Sequence, residues 1–247
     1  MQPLTCPACG TAASLRLIGP QSGDRGQAFI AAACSDCSAL VNLSLLAQGP
    51  AGTTALARRL DLEAAPLSLY GRDFALRVAA EQSWLSDLVD TCAPRMRGDF
   101  CDFGAGASLL GLAATDLFDR THAVDLSLIN ARTLNAFAVD AGRKPVSLHS
   151  SVATLAGPMD FIVLRNVVRY LFDLPETLRT LTACLAPGGV LVILETAPGL
   201  GLAEGVVFTP GAEGLGAILN HLEIGRISMP LDREGCWVIR SEEGEAG

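Results

Sequence analysis

The stretch Gly98-Asp99-Phe100-Cys101-Asp102-Phe103-Gly104-Ala105-Gly106 decides how this chain folds. Its first half is short and mostly apolar, which is typical of a buried strand, and its second half is an acidic residue followed by a Gly-x-Gly turn. A helical pattern begins shortly after the turn. Glycines between a strand and a helix let the backbone bend sharply and leave room for a ligand against it. The stretch therefore predicts a nucleotide-type site, if the residues that follow complete it.

Strand-like apolar runs alternate with helical runs beyond this turn. The predicted strands lie near residues 99–102, 121–125, 145–148, 159–164 and 189–195, and the helices near 107–119, 127–141 and 173–186. A further helix is predicted near 211–221, followed by two strands near 225–229 and 235–240. This alternation predicts an α/β fold with a parallel sheet and helices on both faces.

Asp125 ends the second predicted strand, 23 residues beyond Asp102. A carboxylate at this place can accept hydrogen bonds from both hydroxyls of a ribose that lies across the glycine turn. Alternatively, Asp125 or Ser127 caps the next helix. The glycine turn upstream favours the ribose role.

Four of the eight cysteines form two Cys-x-x-Cys pairs near the amino terminus: Cys6 with Cys9, and Cys34 with Cys37. Each pair can place two thiolates on one side of a tight turn, and two such turns complete a tetrahedral four-sulfur site. We predict a structural zinc ribbon over residues 1–45, and a redox dithiol is the alternative. A closed site of this kind offers the metal no open position for catalysis.

Composition narrows the class of protein further. No apolar run approaches the length of a membrane span, and the amino terminus lacks the features of a secretion signal, so we expect a cytoplasmic protein. The net charge is −8, and Lys144 is the sole lysine, which opposes nucleic-acid binding. We expect residues 46–95 to form a helical linker or cap, residues 96–241 the main domain, and residues 242–247 a flexible tail.

Residues 98–240 resemble the class I S-adenosylmethionine-dependent methyltransferases. The resemblance rests on the Asp-Phe-Gly-Ala-Gly turn at 102–106, Ala-Val-Asp-Leu-Ser at 123–127, the segment 160–171, and Leu-Ala-Pro-Gly-Gly ahead of a buried strand at 185–189. The Phe-Thr-Pro segment at 208–210, with Leu215 and Leu219, is similar to the subgroup that acts on small molecules and glycans.

The resemblance implies a Rossmann-like α/β fold with a mostly parallel seven-stranded sheet, and it implies that S-adenosylmethionine is the cofactor. Asp102 would hold the methionine ammonium, Asp125 the ribose hydroxyls, and Leu126 would lie against the adenine. Tyr70 would close over the cofactor carboxylate. The cofactor-binding residues implied in this way are Tyr70, Asp102, Gly104, Ala105, Gly106, Asp125, Leu126, Ser151, Val152, Arg165 and Asn166.

Two positions depart from the family pattern. Ser108 stands where a third glycine is common, and Ser151 stands where the family usually has an acidic residue that contacts adenine. The first change keeps a small residue at the start of the helix. The second removes a charged acceptor for the adenine amino group, a task that backbone acceptors can take over.

The implied activity is methyl transfer to a small-molecule, sugar or natural-product acceptor, with no membrane partner. A ribosomal-RNA or transfer-RNA methyltransferase is the alternative enzyme, and a non-catalytic methyltransferase-like scaffold or regulatory subunit is a third reading. Displacement at a sulfonium methyl needs positioning more than a universal base. We assign no catalytic residue: His122, His149 and His221 fit structural or surface roles, and Arg169 and Tyr170 fit a substrate-facing role no better than a structural one.

Overall fold

The structure is a computed structural model that describes most of the chain. The described residues are 4–12, 14–23, 27–63, 73–93, 97–155, 157–195, 202, 205–210, 214–222, 226–228 and 235–241. Within these ranges, no helix is both long enough and apolar enough to cross a membrane.

Eleven strands and seven helices make up the described part of the chain. The strands are β1 (Leu15–Ser22), β2 (Ala28–Cys34), β3 (Leu40–Asn42), β4 (Asp99–Phe103), β5 (Arg120–Val124), β6 (Ser147–His149), β7 (Met159–Arg165), β8 (Leu185–Leu194), β9 (Phe208–Thr209), β10 (Arg226–Ser228) and β11 (Cys236–Arg240). The helices are α1 (Leu43–Leu46), α2 (Gly49–Glu63), α3 (Phe74–Cys92), α4 (Leu110–Ala114), α5 (Ile129–Asp140), α6 (Leu174–Ala183) and α7 (Gly214–His221).

The large sheet has the strand order β10-β11-β8-β7-β4-β5-β6. The strands from β8 through β6 pair in parallel, whereas β11 pairs antiparallel with both β8 and β10. The strand order reverses at β4, because β5 lies on one side of it and β7 on the other. Ligands of open α/β sheets bind at such a reversal, beyond the carboxyl ends of the strands. The predicted mostly parallel, Rossmann-like fold is confirmed.

Both faces of this sheet are covered, and alternate residues of the central strands pack on opposite sides. In β7, Phe161 and Val163 belong to a core shared with α3 and α4, whereas Ile162 and Leu164 belong to a core shared with α6 and α7. This period of two is what a strand buried on both faces requires. Helices therefore cover both faces, as the sequence predicts.

The amino-terminal module is a second, smaller sheet with the order β1-β2-β3-β9. Its first three strands form an antiparallel meander that contains the second Cys-x-x-Cys turn, and β9 comes from the far end of the chain. The Pro7 carbonyl of the first turn accepts a hydrogen bond from the Leu174 N–H at the start of α6, at 2.8 Å. The module is thus joined to the large sheet's domain by strand pairing and by a helix terminus.

Two local predictions need correction. The helix predicted over 107–119 is limited to α4, because the turns on either side of it occupy the remaining residues. The Pro-Gly-Gly segment at 187–189 lies within β8 rather than ahead of it, at a register shift between β7 and β8. A Cβ on Gly189 would lie 2.8 Å from the Ala186 carbonyl oxygen and 2.9 Å from that of Met159. A glycine is therefore needed where the strand bends close to its neighbour.

Candidate functional site

The glycine turn lies at the carboxyl edge of the sheet, directly after β4. The Val124 carbonyl at the end of β5 accepts hydrogen bonds from the N–H groups of Gly104 and Ala105, at 2.8 and 3.2 Å. Gly104 has φ +73°, and a Cβ there would lie 2.8 Å from the Cβ of Val167. Both the backbone conformation and the close packing exclude a side chain at this position. The turn is therefore held between the ends of β5 and β7.

Asp125 ties the turn to the end of β5. Its carboxylate accepts a hydrogen bond from the Gly106 N–H at 2.9 Å and another from the Ser127 N–H at 2.9 Å. The second bond closes a local turn before α5, but no side chain caps that helix at Leu128. The carboxylate therefore lies beside the glycine turn, as the ribose role requires, and it also orders the backbone around itself.

The residues implied for the adenine side follow β5 and β6. The side chain of Leu126 is 50% exposed although it is apolar. Ser151 is exposed, and its hydroxyl accepts a hydrogen bond from the Ala153 N–H at 3.2 Å, which caps a short 3-10 turn at Val152–Thr154. The Asp125 N–H donates to the His149 carbonyl at 3.0 Å, so the ends of these strands are in contact. Leu126 offers an accessible apolar surface beside the turn.

Asp102, the last acidic residue of β4, is almost completely buried, with 2% of its surface exposed. Burial raises the pKa of its carboxyl to about 6, and the nearby side chains of Arg165 and Ser108 partly offset this effect. Among the described residues, its Oδ2 has no hydrogen-bond partner. A buried carboxylate oxygen without a donor is costly, which makes it a candidate for binding a cationic ligand group.

Arg165 ends β7 on the same side of the sheet as Asp102. Its guanidinium donates to Glu81 Oε2 at 2.6 Å and to Ser108 Oγ at 2.9 Å. It also lies over the Trp84 ring, 5.6 Å from the ring centroid. Sequence reasoning missed Glu81 and Trp84, because the apolar pattern of α3 marks it only as a packing helix and gives no sign of which residues it turns toward the site.

The remaining implied residues are Asn166, which follows β7, and Tyr70. Asn166 is exposed and has φ +57°, a left-handed conformation that asparagine tolerates better than most residues. Its N–H donates to the Leu194 carbonyl at 2.7 Å, which fixes this turn at the edge of the sheet. Tyr70 lies outside the described residues.

A buried ion pair lies on the opposite face of the same edge. Arg169 and Glu195 have only 7% and 4% of their side chains exposed, and Nε of Arg169 is 4.0 Å from Oε1 of Glu195. Burial raises the pKa of Glu195, and Arg169 partly offsets this effect. The Val207 N–H donates to the Arg169 carbonyl at 2.9 Å, so the pair adjoins the segment that supplies β9.

The four amino-terminal cysteines meet at one point. Their sulfur atoms all lie within 4.8 Å of one another. The Sγ atoms of Cys6 and Cys37 are 3.8 Å apart, and those of Cys9 and Cys34 are 3.7 Å apart. Zinc–sulfur bonds of about 2.3 Å in a tetrahedron place the sulfurs about 3.8 Å apart. The predicted convergence of the two turns is confirmed, and the cluster has the dimensions of a structural zinc site.

The carboxyl edge also has the features that S-adenosylmethionine needs. Among the residues that the structure describes, a Cβ on Gly106 would meet nothing within 4 Å, so none of them fills the space beside it. The same edge of the sheet carries a partly exposed carboxylate at Asp125, an exposed apolar side chain at Leu126, and Asp102, whose buried Oδ2 has no hydrogen-bond partner among the described residues. These groups match a ribose, an adenine and an ammonium in turn, so the residues fit the cofactor that the sequence implies.

Comparison with known proteins gives a consistent picture. A family model described as a methyltransferase domain matches residues 77–243, which is more than half of the chain. The ubiquinone biosynthesis O-methyltransferases of Caulobacter sp. and Caulobacter vibrioides are 33% and 31% identical to it over 96 residues. In both cases the match covers 37% of this chain and 38% of the relative, so the chain spans little more than a third of those relatives' length.

A solved structure supports the fold independently. The N-methyltransferase NodS from Bradyrhizobium japonicum, in complex with S-adenosyl-L-homocysteine, superposes with a TM-score of 0.50 at 16% identity. The superposition covers 78% of this chain and 99% of that one. The family match and the shared topology together show that the chain belongs to the methyltransferase-domain family and has the class I S-adenosylmethionine-dependent methyltransferase fold.

Proposed function

We propose that this protein transfers the methyl group of S-adenosylmethionine to a hydroxyl group of a small molecule, a class that includes sugars and natural-product intermediates. One observation carries the proposal: Asp102 and Asp125, at the ends of adjacent parallel strands, flank the same glycine turn in a chain of the methyltransferase-domain family. The curated relatives are O-methyltransferases, which supports a hydroxyl acceptor. The net charge of −8 supports a small molecule over RNA.

The residues of the site would act mainly by binding and orienting. When bound, S-adenosylmethionine supplies a methyl group on a positively charged sulfur, which is already activated for transfer. Asp125 would accept hydrogen bonds from the ribose, and Leu126 would cover one face of the adenine. Asp102 and Arg165 would bind the ammonium and the carboxylate of the methionine end. By holding both ends of the cofactor, these residues would orient its methyl group toward the acceptor, and such positioning is the main requirement for a displacement reaction.

We further propose that the cysteine cluster binds zinc as a structural ion and that residues 1–45, 46–95 and 96–241 act as ribbon, helical cap and catalytic domain. The position of the cluster supports a structural role, because its four sulfurs leave the metal no free coordination site. The ribbon would support the segment that carries β9 and the turn before α6.

Calorimetry tests the cofactor assignment directly. We expect the zinc-loaded full-length chain to bind S-adenosylmethionine and S-adenosylhomocysteine with one site each. Asp125→Ala should weaken both, whereas Asp140→Ala, an exposed aspartate at the end of α5, should not. Absence of binding by the wild-type chain would refute the function.

A second assay tests the acceptor class. Formation of S-adenosylhomocysteine is measured with catechol, glucose, transfer RNA and ribosomal RNA as acceptors. Turnover on RNA alone would replace the acceptor class proposed here. Cofactor binding without turnover on any acceptor would favour a non-catalytic role.

A further inference from the structure

The guanidinium of Arg165, at the end of β7, is held by side chains from two other parts of the chain. It donates to Glu81 Oε2 of α3 at 2.6 Å and to Ser108 Oγ, in the turn before α4, at 2.9 Å. Its centre also lies 5.6 Å from the centroid of the Trp84 ring of α3. The two hydrogen bonds come from different nitrogens of the planar group, and the ring lies against its face. Together these contacts restrict both the position and the tilt of the guanidinium.

The face of α3 that makes these contacts continues the face that packs on the sheet. Leu85 and Leu88 belong to the core that α3 shares with β4 and β7, and Trp84 packs against that core. Glu81 lies about one helical turn before Leu85, so its side chain is on the same face. Packing of the two leucines therefore places Glu81 and Trp84 over the end of β7, where Arg165 lies.

Arg165 lies on the same face of the sheet as Asp102. Asp102 and Val163 are partners in the register of β4 and β7, and Arg165 follows Val163 by two residues, which is the repeat of a strand. Among the described residues, the hydrogen bonds to Glu81 and Ser108 use two of the five N–H groups of Arg165. A guanidinium with further donors at this edge can bind a carboxylate.

We propose that Glu81 is a positioning residue of the cofactor site: its carboxylate fixes the guanidinium of Arg165 in the orientation that binds the carboxylate of the cofactor's methionine end. This inference rests on the proposed function, since it requires S-adenosylmethionine in the site. A long side chain that a ligand must immobilise loses rotational freedom on binding, whereas a side chain that is already fixed loses little. Glu81 thus raises the affinity for the cofactor through Arg165, without contacting the cofactor itself.

A purely structural role makes a different prediction. If the Glu81–Arg165 pair only holds α3 against the sheet, removal of Glu81 affects the whole site, and ligands with or without an amino-acid end lose affinity together. If Glu81 acts through Arg165, its removal affects only ligands that carry the carboxylate. S-adenosylhomocysteine and 5′-methylthioadenosine make this distinction, because they share the thioadenosine part and differ in that end.

The experiment is calorimetric titration of the zinc-loaded full-length chain with both ligands. For Glu81→Ala we expect the affinity for S-adenosylhomocysteine to fall about three- to tenfold, which is the effect of immobilising one long side chain. The affinity for 5′-methylthioadenosine should change by less than about twofold, which also shows that the variant is folded. Glu81→Gln keeps an oxygen acceptor for Arg165 and should recover most of the lost affinity.

A double-mutant cycle shows whether Glu81 acts through Arg165. Arg165→Ala should lower the affinity for S-adenosylhomocysteine about tenfold or more, since hydrogen bonds to a charged group are lost. Adding Glu81→Ala to that variant should change the affinity by less than about twofold.

A matched control is Asp116→Ala, which removes the carboxylate of another arginine ion pair, 3.1 Å from Arg143. Asp116 lies between α4 and the start of β5, at the opposite edge of the sheet, so neither ligand should lose affinity. If Glu81→Ala weakens both ligands equally, or neither, or causes a full further loss in the Arg165→Ala background, the positioning role is refuted while the proposed function stands. If the wild-type chain does not bind S-adenosylhomocysteine, the proposed function fails, and the inference fails with it.

Discussion

Replacement of Asp102 by asparagine should stabilise the fold at neutral pH and weaken the cofactor site. The carboxyl of Asp102 has a pKa of about 6 instead of the ordinary 3.8, because burial disfavours its ionised form. The folded state therefore binds more protons than the unfolded state between about pH 4 and 6, and the free energy of unfolding falls as the pH rises through this range. At about 1.4 kcal/mol for each pH unit, the ionised carboxylate costs the folded state about 3 kcal/mol at pH 7.

Urea denaturation at several pH values measures this cost. We expect the free energy of unfolding of the wild-type chain to decrease relative to that of Asp102→Asn as the pH rises from 4 to 7, by about 2.4 kcal/mol in total. Both proteins keep the same cysteine cluster, so the contribution of a bound metal cancels in the difference. Equal pH dependence in the two proteins would show that Asp102 is not a buried ionised group and would refute the reasoning.

Cofactor binding gives a second measurement of the same group. The ammonium of S-adenosylhomocysteine favours the ionised carboxylate, so binding should release a proton, and affinity should rise with pH up to about pH 7 and then level off. In Asp102→Asn the affinity should fall about tenfold or more and lose this dependence. Calorimetry in two buffers with different ionisation enthalpies counts the released proton. A pH-independent affinity in the wild-type chain would contradict the ammonium role.

Three further perturbations test other parts of the structure. Asp125→Ala should weaken S-adenosylhomocysteine binding about 10- to 100-fold by calorimetry, through lost charged hydrogen bonds, and an unchanged affinity would remove the ribose assignment. Gly104→Ala should lower the free energy of unfolding by about 2–5 kcal/mol, because the new Cβ meets Val167 and the φ angle at this position is positive. An unchanged free energy of unfolding in urea denaturation would contradict that packing. Replacing both Cys34 and Cys37 with serine should reduce the zinc content, measured by elemental analysis, from one ion per chain to none, and should lower the thermal unfolding midpoint. Retained zinc would refute the four-cysteine site.

Much of the fold follows from local patterns. The glycine turn, the apolar runs of β4, β7 and β8, and the two Cys-x-x-Cys pairs each restrict the backbone within a few residues, so their structures can be predicted without knowledge of their partners. The short α4 and the bulged start of β8 were predicted less well. Both depend on how a segment meets its neighbour, as the close approach of Gly189 to Met159 shows.

The residues of the candidate site also differ in whether the sequence predicts their positions. The positions of Asp102 and Asp125 beside the glycine turn follow from strand ends and spacing, because parallel strands bring their carboxyl ends to one edge. The hydrogen-bond partners of Arg165 cannot be predicted from the sequence, because Glu81 is 84 residues away along the chain and Ser108 is 57 residues away. Seen only in the sequence, Ser108 is a departure from a glycine pattern. Only the structure shows that its hydroxyl accepts hydrogen bonds from Arg165 and from the Leu110 N–H.

Local features of the sequence are therefore sufficient to predict the family, the strand–turn–helix unit at the centre of the sheet and the clustering of the four amino-terminal cysteines. These features depend on backbone sterics, on the period of apolar residues and on short spacings, all of which are local. Tertiary packing is what places Glu81 of α3 against Arg165, adds β9 to the amino-terminal sheet, and brings the Ser108 hydroxyl to Arg165. These contacts join residues far apart in the chain, and packing brings them together in a way that no local pattern specifies.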